Sequence, residues 1–148
     1  GSEGMAGCSH LWSGSAGPWV ARVFKPGLAL QIEADDLRGL LASMPGLAEA
    51  LCRFLWRQTL EIAQLSTRMQ QADIRAQLAL WLHLLQYKTG QQTLKLTQQM
   101  LANMMGTRRV SVTLAAGQLQ HEGIVTLRRG EIQINDRQGL AQVAGLQA

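Results

Sequence analysis

The segment from Pro45 to about Gln71 predicts one long helix, and it constrains the fold more than any other feature. Proline favours the first turn of a helix, and after Gly46 the stretch contains neither glycine nor proline. Within it, residues at alternating steps of four and three match the a/d spacing of a two-stranded coiled coil. These six residues are Leu51, Leu55, Gln58, Ile62, Leu65 and Met69.

A helix of about 25 residues is about 38 Å long. A chain of 148 residues cannot easily cover that length from one side. We therefore expect the six residues to form the seam of a homodimer, in which Gln58 costs stability but fixes the register. The alternative is one long stripe that faces the chain's own core.

Composition limits the class of protein. A length of 148 residues allows one ordinary domain or two small ones, which excludes a large multidomain enzyme. Apolar residues make up 47% and charged residues 16%, a balance that supports a buried core. The sequence shows no membrane span and no signal peptide, and Cys8 and Cys52 lack metal-ligand spacing. We expect a cytoplasmic protein with no membrane partner, no metal and no cofactor.

Positive charge is concentrated towards the C-terminus. Residues 91–148 carry six Lys/Arg against three Asp/Glu, whereas residues 1–90 carry eight against seven. The last third therefore holds most of the net charge of +4. Such an excess in one region predicts a polyanionic partner there.

The segment from Leu96 to Thr113 contains two helix starts and a turn. Thr97 and Thr107 can each cap a helix through the hydroxyl, and Gly106 can adopt the positive φ of a tight turn. This spacing predicts a helix-turn-helix motif. The predicted packing face comprises Leu101, Ala102 and Met105 of the first helix and Val112, Ala115, Ala116 and Leu119 of the second.

The second helix is expected to leave Arg108, Arg109, Ser111, Thr113 and Leu114 outside, in its first two turns. Those positions face base edges when a recognition helix enters the major groove of DNA. Arginine can pair with guanine through two hydrogen bonds, and Ser or Thr hydroxyls can bind bases or phosphates. A solvated surface pair is the alternative for the two arginines, but their place after a capped turn favours DNA contact.

A β-hairpin follows the motif. Ile124–Leu127 and Glu131–Ile134 alternate with period two around the turn Arg128–Gly130. A basic hairpin after a helix-turn-helix is the wing of a winged helix, and arginines at its tip suit backbone phosphates. Asp136–Val143 predicts a further short helix. The predicted DNA-binding residues are Thr97, Gln98, Thr107, Arg108, Arg109, Ser111, Thr113, Arg128 and Arg129.

The N-terminal pattern is different. The first 27 residues hold six of the fifteen glycines, and the runs Trp19–Ala21 and Leu28–Ile32 predict short strands. Asp35 and Asp36 then predict the start of a short helix, and Asp73 predicts the start of a core helix that ends near Gly90.

Taken together, the segments resemble the C-terminal part of a Crp/Fnr family transcription regulator. The similarity runs without a gap from Leu96 to Val125 and continues through the wing, and the long dimer helix of the family matches Pro45–Gln71. Gly4–Gly7 resembles, more weakly, the Gly-Glu-Leu-Gly corner of the cyclic-nucleotide phosphate cassette. The residues of the turn and recognition helix that carry the match are Gly106, Arg109, Ser111 and Val112.

The resemblance implies a mainly α fold with small β elements. It implies a remnant of a β-roll, cyclic-nucleotide-binding-like sensor over 1–44, a dimerisation helix over 45–72 and a winged helix-turn-helix over 73–148. Double-stranded DNA with a palindromic operator, a second copy of the chain and RNA polymerase are the implied partners. Gly4, Met5 and Gly7 are the implied effector-binding residues.

Two departures from the family pattern matter. Met5 stands where cyclic AMP-binding members carry a Glu for the ribose, and Ser15–Pro18 holds no Arg for the cyclic phosphate. Without that arginine the phosphate lacks a bidentate partner, which disfavours cyclic AMP as the effector. Val110 replaces the frequent Glu of the recognition helix, which predicts a different operator.

Catalysis is not predicted. His10, His83 and His121 have no Cys, Asp or Glu at a spacing that suggests a catalytic or metal site. The competing function is a winged-helix protein-interaction or dimerisation scaffold without sequence-specific DNA readout. Binding to duplex DNA that is lost on charge reversal of Arg108 and Arg109 would separate the two functions.

Overall fold

The computed structural model describes residues 4–8, 10–13, 23 and 26–146, and most of them are helical. The predicted class, mainly α with small β elements, is confirmed. The chain divides into two compact units, Gly1–Ala63 and Gln64–Ala148. In chain order the elements are α1 His10–Ser13, α2 Ala34–Ser43, α3 Pro45–Gln71, α4 Ile74–Thr89, β1 Thr93–Leu94, α5 Gln98–Met105, α6 Arg109–His121, β2 Val125–Arg128, β3 Glu131–Ile134 and α7 Arg137–Val143.

In the first unit, α1 and α2 pack together through Leu11 and Arg38. The Leu11 side chain is buried, and Nε of Arg38 donates to the Leu11 carbonyl oxygen at 3.0 Å. Helix α2 begins at Ala34, which confirms the helix start predicted from the two aspartates. No helix in the described part of the chain is both long and apolar enough to cross a membrane.

The strand predicted over Leu28–Ile32 is wrong. These residues form no regular structure, and the side chains of Leu28 and Leu30 are fully exposed. A β-strand needs a hydrogen-bonding neighbour, and the described residues of this unit include no strand that could pair with the segment. The other predicted strand, Trp19–Ala21, lies outside the described residues.

Helix α3 is continuous from Pro45 to Gln71, as its sequence predicts. Along the proposed dimer seam, Leu51, Leu55 and Gln58 are half-buried and Ile62 is exposed. Leu65 and Met69 are half-buried against the core of the second unit. Part of the apolar stripe therefore packs within the chain, and the seam itself stays a prediction.

The second unit has a hydrophobic core built on α4. The Asp73 carboxylate accepts a hydrogen bond from the Ala76 N–H at 2.7 Å and caps this helix, which ends at Gly90 with a left-handed backbone. Both ends agree with the prediction. The largest side chains that are fully buried here are Leu78, Leu82, Leu94, Leu96, Leu101, Leu119 and Leu140.

A three-stranded antiparallel sheet in the order β1-β3-β2 completes this unit. Arg128 pairs with Glu131, so Arg129 and Gly130 alone form the turn, which is one residue shorter than predicted. Gly130 has φ +76°, which the turn requires. Strand β1 was not predicted; it is two residues long, and Leu94 pairs with Ile132. Helix α7 follows, with the Asp136 carboxylate accepting from the Gly139 N–H.

Candidate nucleic-acid interface

Helices α5 and α6 are joined by a tight turn. The Thr97 hydroxyl accepts a hydrogen bond from the Met100 N–H at 3.1 Å and caps α5, as predicted. At the other end Gly106 has φ +62°, and the Thr107 N–H donates to the Ala102 carbonyl at 3.0 Å. The left-handed glycine and this bond satisfy carbonyls at the end of α5 and turn the chain towards α6.

The predicted cap at Thr107 is wrong. The residue before α6 is Arg108, which has an extended backbone and makes no side-chain capping bond. Because α6 begins at Arg109, Thr107 lies one position too early to cap it, and its side chain is half-buried in the turn.

The face of the motif that packs inwards agrees with the prediction. Leu101 and Ala102 of α5 are buried, and Met105 packs against the core. Four residues of α6 are buried, namely Val112, Ala115, Ala116 and Leu119. With 100° per residue, this burial fixes which side of α6 faces outwards.

The outward side of α6 carries both polar and apolar residues. Arg109 and Thr113 are exposed, as predicted, whereas Ser111 is half-buried. Val110 and Leu114 are exposed to 69% and 66%. Val110 was not among the predicted DNA-binding residues, although its exposure follows from the spacing of the four buried residues on the opposite side of α6.

A groove of about 470 Å³ lies between the start of α5, the start of α6 and the wing. It brings together residues that are up to 36 positions apart in sequence, from Leu96 to Ile132. Glu131 also lines the groove and contributes one negative charge. The predicted DNA-binding residues that line it are Thr97, Gln98, Arg109, Arg128 and Arg129. Thr107, Arg108, Ser111 and Thr113 do not line it.

Hydrogen bonds connect the parts that surround the groove. The Thr113 hydroxyl donates to Oε1 of Gln98 at 2.7 Å, linking α6 to the start of α5. Its oxygen is also 3.0 Å from the Arg109 carbonyl, so its single proton is shared within the protein. The Leu127 N–H donates to Oε1 of Gln120 at 2.8 Å, which ties the wing to α6.

The cations of the groove are available to an anionic ligand. Among the residues that the structure describes, Arg109, Arg128 and Arg129 form no ion pair. The acid Glu122 at the end of α6 is paired with Arg75 at 2.6 Å. No group of three or more His, Cys, Asp or Glu within the described ranges could hold a metal ion.

The residues proposed for an effector belong to the first unit. Gly4 and Gly7 are exposed and Met5 is half-buried, and Gly7 has φ +87°. Ser15–Pro18, where the family carries its phosphate-binding arginine, lies outside the described residues. The role of Gly4, Met5 and Gly7 in effector binding stays a prediction.

The second unit is similar to a known DNA-binding domain. Residues 76–143 match the family model of the Crp-like helix-turn-helix domain. No protein with a curated description matches the chain significantly.

Several solved structures share the fold. A transcriptional regulator of the CRP/FNR family from Thermus thermophilus is 27% identical with a TM-score of 0.59, covering 68% of this chain and 55% of that one. A crp/fnr family protein from Eubacterium rectale is 23% identical with a TM-score of 0.61, covering 76% and 52%. FixK2 from Bradyrhizobium japonicum is 15% identical with a TM-score of 0.66, covering 79% and 61%. The chain thus spans between 52% and 61% of these three proteins.

Proposed function

We propose that this chain, which contains a Crp-like helix-turn-helix domain over residues 76–143, is a sequence-specific DNA-binding transcription regulator of the Crp/Fnr type. The observation that carries the proposal is the groove beside α6. It collects five of the nine residues that the sequence assigned to DNA binding, three of them arginines without an ion pair in the described part of the chain.

The groove suits a phosphate backbone. The first N–H groups of a helix have no partner inside the helix and favour anions, and the start of α5 lines the groove. The bond from Thr113 occupies Oε1 of Gln98 and leaves the amide's two N–H donors for a phosphate. Arg128 and Arg129 supply charge from the wing, and Arg108, which does not line the groove, is exposed just before α6. These contacts position the protein but carry no sequence information.

Arg109 is the proposed reader of a base. It is exposed in the first turn of α6, and it is the one residue of this helix that lines the groove. An arginine at such a position can pair with O6 and N7 of guanine. Ser111, Thr113 and Thr107 have supplementary roles, because the first and third are half-buried and the Thr113 proton is shared within the protein.

The regulator is proposed to act as a homodimer through α3. Two recognition helices related by a twofold axis read half-sites about 34 Å apart, which requires a palindromic operator. The effector is proposed to be a ligand other than cyclic AMP, bound near Gly4, Met5 and Gly7. RNA polymerase is proposed as a further partner, and the cytoplasm as the location.

Two arginine variants test whether Arg109 contacts a base and Arg129 contacts a phosphate. Arg109→Ala should weaken binding to the preferred duplex by about 1 to 3 kcal/mol and relax the preference at one base pair per half-site. Arg129→Ala should weaken all duplexes alike and reduce the dependence of affinity on salt, because a phosphate contact releases counterions whatever the base. Titration of labelled duplexes at several salt concentrations measures both effects.

The same titration also tests the scaffold alternative. If neither variant changed binding to any duplex, the winged helix would not be a DNA reader, and the scaffold alternative would be favoured. If Arg129→Ala removed the sequence preference while Arg109→Ala kept it, the two roles would be exchanged.

A further inference from the structure

Helix α6 presents two large apolar side chains to solvent. Val110 and Leu114 are exposed to 69% and 66%. They are four residues apart, so they lie on one side of the helix, about 6 Å apart along its axis. Val112 and Ala116, which are buried, lie on the side opposite to them. We call Val110 and Leu114 the apolar strip.

The surroundings of the apolar strip indicate what covers it. Single exposed apolar residues are common, but this pair lies on the helix that carries Arg109 and runs beside the basic groove. The apolar strip shares its helix with Arg109, which lines the basic groove together with the wing arginines, and this combination fits a ligand with negative edges and an apolar floor. The major groove of DNA has this character, because phosphates border it and the C5-methyl groups of thymine project into it.

We infer that Val110 and Leu114 contact thymine methyl groups and select T·A pairs beside the base that Arg109 reads. The inference rests on the proposed DNA-binding function and extends it to residues without hydrogen-bonding groups. Bases on one strand are about 3.4 Å apart along the duplex. A separation of about 6 Å along the helix therefore predicts two thymines about two base steps apart in each half-site.

Uracil provides a direct test, because it pairs with adenine as thymine does but lacks the methyl group. The probe is the duplex that the 148-residue chain enriches from a random pool, with thymines replaced by uracil one at a time. At two thymines in a half-site, uracil should weaken binding about fourfold, the value of one buried methyl group. The remaining thymines should tolerate the replacement.

Variants assign each thymine to its side chain. In Val110→Ser one of the two uracil effects should disappear, and in Leu114→Ser the other should disappear. Both side chains are exposed, so these variants should unfold at the wild-type temperature. Tyr87→Ser is the matched control, since Tyr87 on α4 is 65% exposed and outside the helix-turn-helix. This control should keep both uracil effects.

The outcomes separate the inference from the function on which it rests. One outcome is that uracil leaves the affinity unchanged at every position while Arg109→Ala still relaxes the sequence preference. The apolar strip would then not read thymine, but the proposed DNA-binding function would be retained. The same conclusion would follow if both serine variants weakened thymine and uracil duplexes equally. If the chain enriched no duplex at all, the proposed DNA-binding function itself would be refuted, and the thymine contacts with it.

Discussion

Replacing Gly106 with alanine tests whether the turn between α5 and α6 depends on a left-handed backbone. Gly106 has φ +62°, and a Cβ atom built there meets nothing within 4 Å. Crowding is therefore excluded, and the cost is that of the backbone alone. An alanine in the left-handed region costs about 1 to 2 kcal/mol. Alanine also lowers the conformational entropy of the unfolded chain, which offsets about 0.4 to 1 kcal/mol of that cost. We expect a net loss of about 1 kcal/mol in the free energy of unfolding.

Gly117 offers a matched control with the opposite sign. It lies inside α6 without a positive φ, and its Cβ would also meet nothing within 4 Å. Gly117→Ala should stabilise the domain by about 0.5 to 1 kcal/mol, because glycine is a poor residue inside a helix. Gly106→Asn should cost less than Gly106→Ala, since asparagine tolerates the left-handed region better.

Urea unfolding followed by far-ultraviolet circular dichroism measures all three variants. In a domain of about 60 to 100 residues, 1 kcal/mol also corresponds to about 4 to 8 °C in Tm. The two alanine variants should shift in opposite directions. A shift of both in the same direction, or a stabilised Gly106→Ala, would refute the argument that backbone conformation alone controls this turn.

Two further predictions concern pH and assembly. Burial, and then the positive charge of Arg137, lower the pKa of His83, and its Nδ1 is buried without a hydrogen-bond partner. As the pH falls below about 6.5, His83 is therefore protonated in the unfolded state before it is protonated in the folded state. The free energy of unfolding should be highest above that pH and decline below it. In urea titrations at several pH values, His83→Gln should make this decline smaller. For assembly, sedimentation at micromolar concentration should show a dimer that Leu55→Lys with Ile62→Lys dissociates, because unpaired charges in a seam are costly. A monomeric wild-type chain would exclude the α3 seam.

The sequence is most informative where local chemistry determines the backbone. Asp73 and Thr97 are short polar residues that satisfy the N–H groups of the next turn, and both cap the helices predicted for them. Gly106 and Gly130 occupy positive φ, which few other residues tolerate, so both turns were predictable. Helix α3 followed from a long stretch without glycine or proline.

Features that depend on distant neighbours were harder to predict. Strand β1 exists because Leu94 pairs with Ile132 across 38 positions, and two residues carry too little pattern to reveal it. Leu28–Ile32 has strand-forming composition but no pairing strand among the described residues. Val110 was predicted to alter the operator but not to contact DNA, because it has no hydrogen-bonding side chain; its exposure follows from the packing of the opposite side of α6.

Selection of duplexes from a random pool by the 148-residue chain tests the central claim most directly. The account predicts an enriched twofold-symmetric site whose half-sites are about 34 Å apart, as a dimer with one recognition helix per subunit requires. Affinity for this site should exceed that for a scrambled duplex of equal length. Recovery of no common sequence, with equal affinity for all duplexes, would contradict the claim that α6 reads DNA.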